Sequence, residues 1–166
     1  MSTTDKTSAE LLAAQALASQ VKKELTENIL PYWINKMCKP EGGFYGQING
    51  NEELVADAPA GNIMTARVLW TFASAYRLLG NQEYLEMALR AKKLLLEKFV
   101  DPEFGGTYWS INADGTPLDT KKQIYAIAFS IYGLSELNRA TGDAEALEDA
   151  RKLCRSIEDH SFDNEK

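Results

Sequence analysis

The chain has 166 residues, of which 45% are hydrophobic and 25% charged, an ordinary globular composition at a length that buries roughly two thirds of the unfolded surface. A net charge of -6 offers no basic face to nucleic acid or to an anionic membrane, and no apolar run is long enough to span a bilayer. The opening Met1-Ser2-Thr3-Thr4-Asp5-Lys6 lacks the apolar core of a signal peptide, and Cys38 and Cys154 make no metal-ligand spacing, so a cytoplasmic protein is expected.

The first predicted helix covers 8–36, with a break near Pro31; Leu17, Val21 and Leu25 recur at four-residue spacing opposite Lys22, Lys23 and Glu24. Glycines and aromatics then predict a hairpin, Gly43 to Ile48, a turn at Asn49-Gly50-Asn51, and a return through Val55. From 61 to 79 the pattern is a helix apolar nearly all round, which needs enclosure. Gly80 ends it in a left-handed conformation and Asn81 caps the next. That next helix, 82–99, is one-faced, with Leu85, Ala88, Leu89, Leu95, Leu96 and Phe99 as its stripe.

The pattern then repeats. Gly105 to Leu118 predicts a second hairpin turning at Asn112 to Gly115. Thr120 and Gln123 have capping-box spacing ahead of a second all-apolar helix at 121–140. Gly142 and Asp143 mirror Gly80 and Asn81 62 positions earlier, and the last helix, 144–159, is again one-faced through Leu147, Ala150, Leu153, Cys154 and Ile157. Gly42-Gly43-Phe44-Tyr45 recurs as Gly105-Gly106-Thr107-Tyr108-Trp109, and Asp101-Pro102-Glu103 as Asp163-Asn164-Glu165 at the end of the chain. A fixed period of this size marks one structural unit repeated. The expectation is an N-terminal part of something longer. Alternating enclosed and one-faced helices predict an inner and an outer layer with hairpins at one end. A closed double ring satisfies this; a solenoid of stacked helix pairs is the competing geometry, though it wraps alternate helices less fully.

Among candidate site residues, Arg67 stands out because it lies one turn into an enclosed helix, where an unpaired charge is costly. It must meet a carboxylate, reach the rim, or face a polar cavity, where its five donors suit substrate oxygens. Tyr125, early in the second enclosed helix, either places its hydroxyl in that cavity or is a core aromatic satisfied by a carbonyl. Tyr45 and Trp109 on the hairpins suit stacking on sugar rings, or pack the hairpins on the helices, as Phe44 and Tyr108 are expected to do. His160, the only histidine, falls at a helix C-terminus, a common silent position. Glu52 and Glu53 sit on a hairpin and are expected to be solvated. No nucleophilic triad, phosphate loop, cofactor motif or metal cluster can be assembled.

Asp57-Ala58-Pro59-Ala60-Gly61, followed by Thr65-Ala66-Arg67-Val68-Leu69-Trp70-Thr71-Phe72, resembles the opening of the cellobiose 2-epimerase and N-acylglucosamine 2-epimerase family. Pro40 to Gly46 and Lys122 to Phe129 agree with it. The resemblance implies an all-α fold, the (α/α)6 barrel, of which residues 1–166 would be the N-terminal part and a single domain, with short β-hairpins in the loops at one end. It implies an isomerase that inverts C2 of a reducing-end mono- or disaccharide through an enediolate, without a cofactor. By the resemblance, Arg67 contacts the sugar oxygens near C1 and C2 and Tyr125 belongs to the pocket. The family's catalytic histidine pair would lie beyond Lys166, and His160 matches neither, so the chain is expected to hold part of the sugar pocket, no catalytic residue, and little activity alone. It is also expected either to self-associate through inner-helix flanks around Ile131 and Leu134 or to be marginally stable. Two other readings stand beside it. One is an inactive carbohydrate-binding or interaction module using Arg67, Tyr125, Tyr45 and Trp109. The other is a glycoside hydrolase, which needs opposed acids, whereas the one acid early in an enclosed helix, Asp119, is better placed as a cap.

Overall fold

The computed structural model describes residues 3–161; the lead-in at 163–166 lies outside them. The chain divides into two compact units, Met1–Cys38 and Lys39–Lys166. In the first, α1 (Thr3–Glu24) passes through a π-helical turn, Leu25–Ile29, into α2 (Leu30–Tyr32), and a second π turn, Trp33–Met37, follows. The expected break at Pro31 does not occur. The Leu30 N–H donates to the carbonyl of Leu25, so the turn before the proline is already widened. Pro31 stands in the first turn of α2, where its missing donor and fixed φ cost least. The α1 stripe remains exposed at Leu17 and Val21.

The second unit contains α3 (Asn62–Leu79), α4 (Gln82–Leu94), α5 (Ile124–Thr141), α6 (Ala144–Ser161) and the short strands β1 (Ala60–Gly61), β2 (Ser110–Ile111) and β3 (Pro117–Asp119). The π turn Leu95–Phe99 extends α4. Helices α3 and α5 lie side by side, α4 covers α3, and α6 covers α5. This is the two-layer alternation expected from the sequence. Gly80 and Gly142 end α3 and α5 with φ of 72° and 76°, conformations that favour glycine. The Asn81 side chain accepts from Glu83 N, and Asp143 accepts from Ala146 N.

Four local expectations need correction. The α4 stripe is Tyr84, Met87, Ala88, Ala91, Leu95 and Phe99, while Leu89 is exposed. Lys92 can join the buried side because Asp143 and Glu145 both accept from its ammonium, at 2.8 and 2.7 Å. The Thr120–Gln123 capping box does not form, since Gln123 is itself the N-cap, with extended backbone and no side-chain bond. Asp119 turns the chain instead, accepting from Lys121 N. Finally, α5 is not enclosed on every side. Ile124, Ala128, Ser135 and Arg139 form an exposed stripe, because α3 and α6 cover only part of its circumference. Leu134, expected at an open flank, is fully buried, and Ile131 is partly so.

The second hairpin forms as expected, with β2 and β3 antiparallel. The first is reduced to an isolated bridge between Ile48 and Leu54. A third strand was not legible in the sequence: β1 adds to β2, and Asn62 N donates to Trp109 O at 3.0 Å. The start of α3 is thereby tied to the second hairpin.

The glycine loops show their kinship in backbone geometry. Lys39 N donates to Gly43 O, as Asp101 N does to Gly106 O, and both lead residues are buried. The Lys39 ammonium donates to Ala113 O at 2.7 Å. The Asp101 carboxylate accepts from the Lys122 ammonium and from the backbone N–H groups of Glu103 and Phe104. Burial alone would push Asp101 up, but these donors outweigh it and hold the carboxyl at about 2, below the ordinary 3.8.

Two stability outcomes are expected. A Cβ added at Gly133 would stand 2.7 Å from the Ala66 carbonyl oxygen, so Gly133→Ala should separate α3 from α5. That should cost about 1–3 kcal/mol, more than the gain in helix propensity, read from urea-unfolding midpoints. Because the folded pKa of Asp101 is depressed, its contribution is complete above about pH 4 and disappears as pH falls towards about 2. Calorimetry should show that loss in the wild type, up to about 2 kcal/mol, and a flatter acid limb in Asp101→Asn.

Candidate functional site

The first halves of α3 and α5 form the sides of an open groove of about 520 Å³, lined by Arg67, Trp70, Thr71, Tyr125, Phe129 and Tyr132, with Ala128 at its edge. Helical spacing puts them there. Positions 67, 70 and 71 share one face of α3, and 125, 128, 129 and 132 share one face of α5. The volume and mostly aromatic lining lie in the range of small-molecule sites.

Repeat-equivalent residues meet across this groove. The Arg67 guanidinium lies 5.9 Å from the centroid of the Phe129 ring. One turn further, Trp70 stacks on Tyr132 at 5.0 Å with 10° between planes. A turn beyond that, the Ser74 hydroxyl donates to the buried Glu136 carboxylate, 62 positions away, at 2.9 Å. The rungs run from an open, cationic end to a closed, ion-paired one. At the closed end, burial would push Glu136 up, yet Arg77, bonded at 2.8 Å, and Ser74 hold its carboxyl below the usual range.

Arg67 meets none of the carboxylates among the described residues, so the structural ion pair open in the sequence is not what the structure contains. It is exposed on the groove and its ring contact leaves the N–H donors free. Tyr125 also lines the groove, but its ring is neither in the core nor held by a carbonyl. It is 62% exposed and touches Phe129 edge-on at 5.0 Å. The repeat offset pairs Arg67 with Phe129 and Tyr125 with Ile63.

The hairpin aromatics lie outside the groove lining. Tyr45 carries the Lys39 ammonium 5.6 Å from its ring centroid, and Trp109 carries that of Lys121 at 5.0 Å. Lys121 is further held by Asp119 at 2.8 Å. Phe44 is buried, as a packing residue should be. Tyr108 packs under Lys122 at 4.7 Å, and burial followed by the nearby Asp101 carboxylate pushes its hydroxyl up. Glu52 and Glu53 are exposed. His160 is exposed near the end of α6, with Nδ1 2.9 Å from Ser156 O. Sequence reasoning missed Trp70, Phe129 and Tyr132, which read as ordinary apolar positions of enclosed helices. The signal that could have found them was the constant offset, which sets 67 against 129 and 70 against 132.

Residues 43–166 match the pattern of the family described as N-acylglucosamine 2-epimerase (GlcNAc 2-epimerase). The chain belongs to this family. It is 60% identical over 153 residues to a cellobiose 2-epimerase of Bacteroides fragilis, covering 92% of the chain and 39% of that protein. It is 42% identical over 147 residues to a cellobiose 2-epimerase of Ruminococcus albus, covering 89% and 38% respectively. The solved cellobiose 2-epimerase of Bacillus thermoamylovorans B4167 superposes with a TM-score of 0.87 at 36% identity, over 91% of this chain and 39% of that one. The chain thus spans about two fifths of the length of the curated relatives it matches.

The two arginines of α3 should respond unequally to truncation. Arg67→Ala removes one exposed cation–π contact and no ion pair, and should cost no more than about 1 kcal/mol. Arg77→Ala strips a donor from the buried Glu136 and should cost about 2 kcal/mol. Paired chemical-denaturation curves will show the contrast.

Proposed function

We propose that this chain supplies one side of the sugar pocket of a carbohydrate 2-epimerase, an isomerase inverting C2 of a reducing-end sugar such as cellobiose or an N-acylglucosamine. Its helices would then be an arc of an (α/α)6 barrel. The observation that carries the reading is the unneutralised Arg67 beside Tyr125 in an aromatic groove, in a chain belonging to an epimerase family. Epimerisation at C2 begins by removing the proton next to the open-chain carbonyl, which leaves negative charge delocalised from C2 onto the C1 oxygen, beside the C2 hydroxyl. A guanidinium with free, directed donors stabilises that charge, and apolar ring faces suit the C–H faces of the sugar. The Tyr125 hydroxyl adds a donor at the rim.

The groove contributes binding and oxyanion stabilisation rather than proton transfer. Its lining holds no carboxylate or imidazole, the groups that most often move protons at neutral pH. A polypeptide supplying that group opposite Arg67 would complete the reaction.

The test is titration of the chain with cellobiose and with N-acetylmannosamine, in parallel with incubation of cellobiose in heavy water. Saturable binding that Arg67→Ala weakens at least about tenfold, matching the loss of charge-assisted hydrogen bonds, together with no deuterium at C2, is the expected result. Binding of neither sugar would overturn the pocket assignment. Deuterium at C2 at an enzymatic rate would overturn the division between binding and proton transfer.

A further inference from the structure

We infer that Phe129 is a positioning residue for Arg67, holding the guanidinium over its ring so that the cation is oriented without being neutralised. The inference rests on the reading of Arg67 as a donor to sugar oxygens and identifies what keeps it ready.

A solvent-exposed arginine on a helix samples many rotamers, and ordering it on a ligand costs conformational entropy. Proteins often order such a side chain with a carboxylate, as Glu136 does for Arg77 on the same helix. A carboxylate beside Arg67 would take up its donors and cancel its charge. An aromatic face attracts the cation through its quadrupole and leaves the in-plane N–H groups available. The 5.9 Å between the Arg67 guanidinium and the Phe129 centroid is within the range of that attraction.

Phe129 is itself held. Tyr125 meets it edge-on at 5.0 Å and 76°, and Tyr132 meets it at 6.2 Å and 89°. Tyr132 is fixed in turn by its stack on Trp70. Phe129, Tyr125 and Tyr132 stand on α5, and Trp70 braces them from α3, the helix that bears Arg67. The orientation of the arginine therefore depends on the α3–α5 register.

Phe129→Leu keeps an apolar side chain but removes the quadrupole, whereas Phe129→Tyr keeps both. In the full chain, Phe129→Leu should weaken cellobiose binding about two- to fivefold, the size of an exposed cation–π contact, and Phe129→Tyr should restore it to within about twofold. NMR supplies an independent reading. The Arg67 δ and ε protons should show an upfield ring-current shift that disappears in Phe129→Leu and returns in Phe129→Tyr. Unchanged Arg67 shifts in Phe129→Leu would overturn the inference whatever the sugar does. Wild-type affinity in Phe129→Leu, alongside weakened binding in Arg67→Ala, would overturn it while leaving Arg67 as the sugar donor. If no form binds sugar but the shifts follow the ring, the positioning stands and the sugar reading falls.

Discussion

The close approach of α3 and α5 is the constraint on which the remaining structure depends. Gly133 admits the Ala66 carbonyl where any side chain would collide, and this contact sets the depth and register at which the helices meet. With the register set, residues at the same place in successive repeats face one another: Arg67 with Phe129, Trp70 with Tyr132, Ser74 with Glu136. A repeated helix pair thereby becomes a ladder, and one end of the ladder is the groove.

The two ends are built on opposite electrostatic terms. At the closed end the Glu136 carboxylate is withdrawn from water and accepts from Ser74 and from the partly exposed Arg77, which ties the helices together. At Arg67 the charge has only a π face beneath it. The same helix therefore carries a spent arginine and an available one, about three turns apart. The ion pair is concentrated at the closed end and the unpaired guanidinium at the open one, so a change at Arg67 leaves the Arg77–Glu136 pair in place.

The loops act at the open end. Buried Lys39 and Asp101 occupy equivalent places before the glycines but satisfy themselves differently. The first donates to the tip of the second hairpin and the second gathers Lys122 and two backbone N–H groups. With β1 added to β2 and Asn62 held by Trp109, the start of α3 is fixed to the hairpin that precedes α5. Lysines over Tyr45 and Trp109 belong to this framework, and both rings stand apart from the groove lining.

Much of the fold was legible from local pattern. Gly80 with Asn81 and Gly142 with Asp143 are helix punctuation that depends only on residues a few positions apart, and their recurrence at one offset announced the repeat. The apolar character of α3 and α5 separated the inner layer from the outer, and Arg67 stood out as a charge misplaced in that pattern. The rest depended on distant parts of the chain. Nothing local distinguishes Leu89, which is exposed, from Met87, which is buried, because the choice follows from how α4 meets α3. Lys92 reads as a solvated lysine until Asp143 and Glu145 arrive from another helix. Trp70, Phe129 and Tyr132 read as core until the α3–α5 register opens them to a groove. The sequence by itself determined where helices begin and end and which residue carries an unusual charge, since those are short-range matters of backbone and hydropathy. Only the tertiary structure decided what Arg67 faces, because partners 62 residues apart are chosen by helix packing.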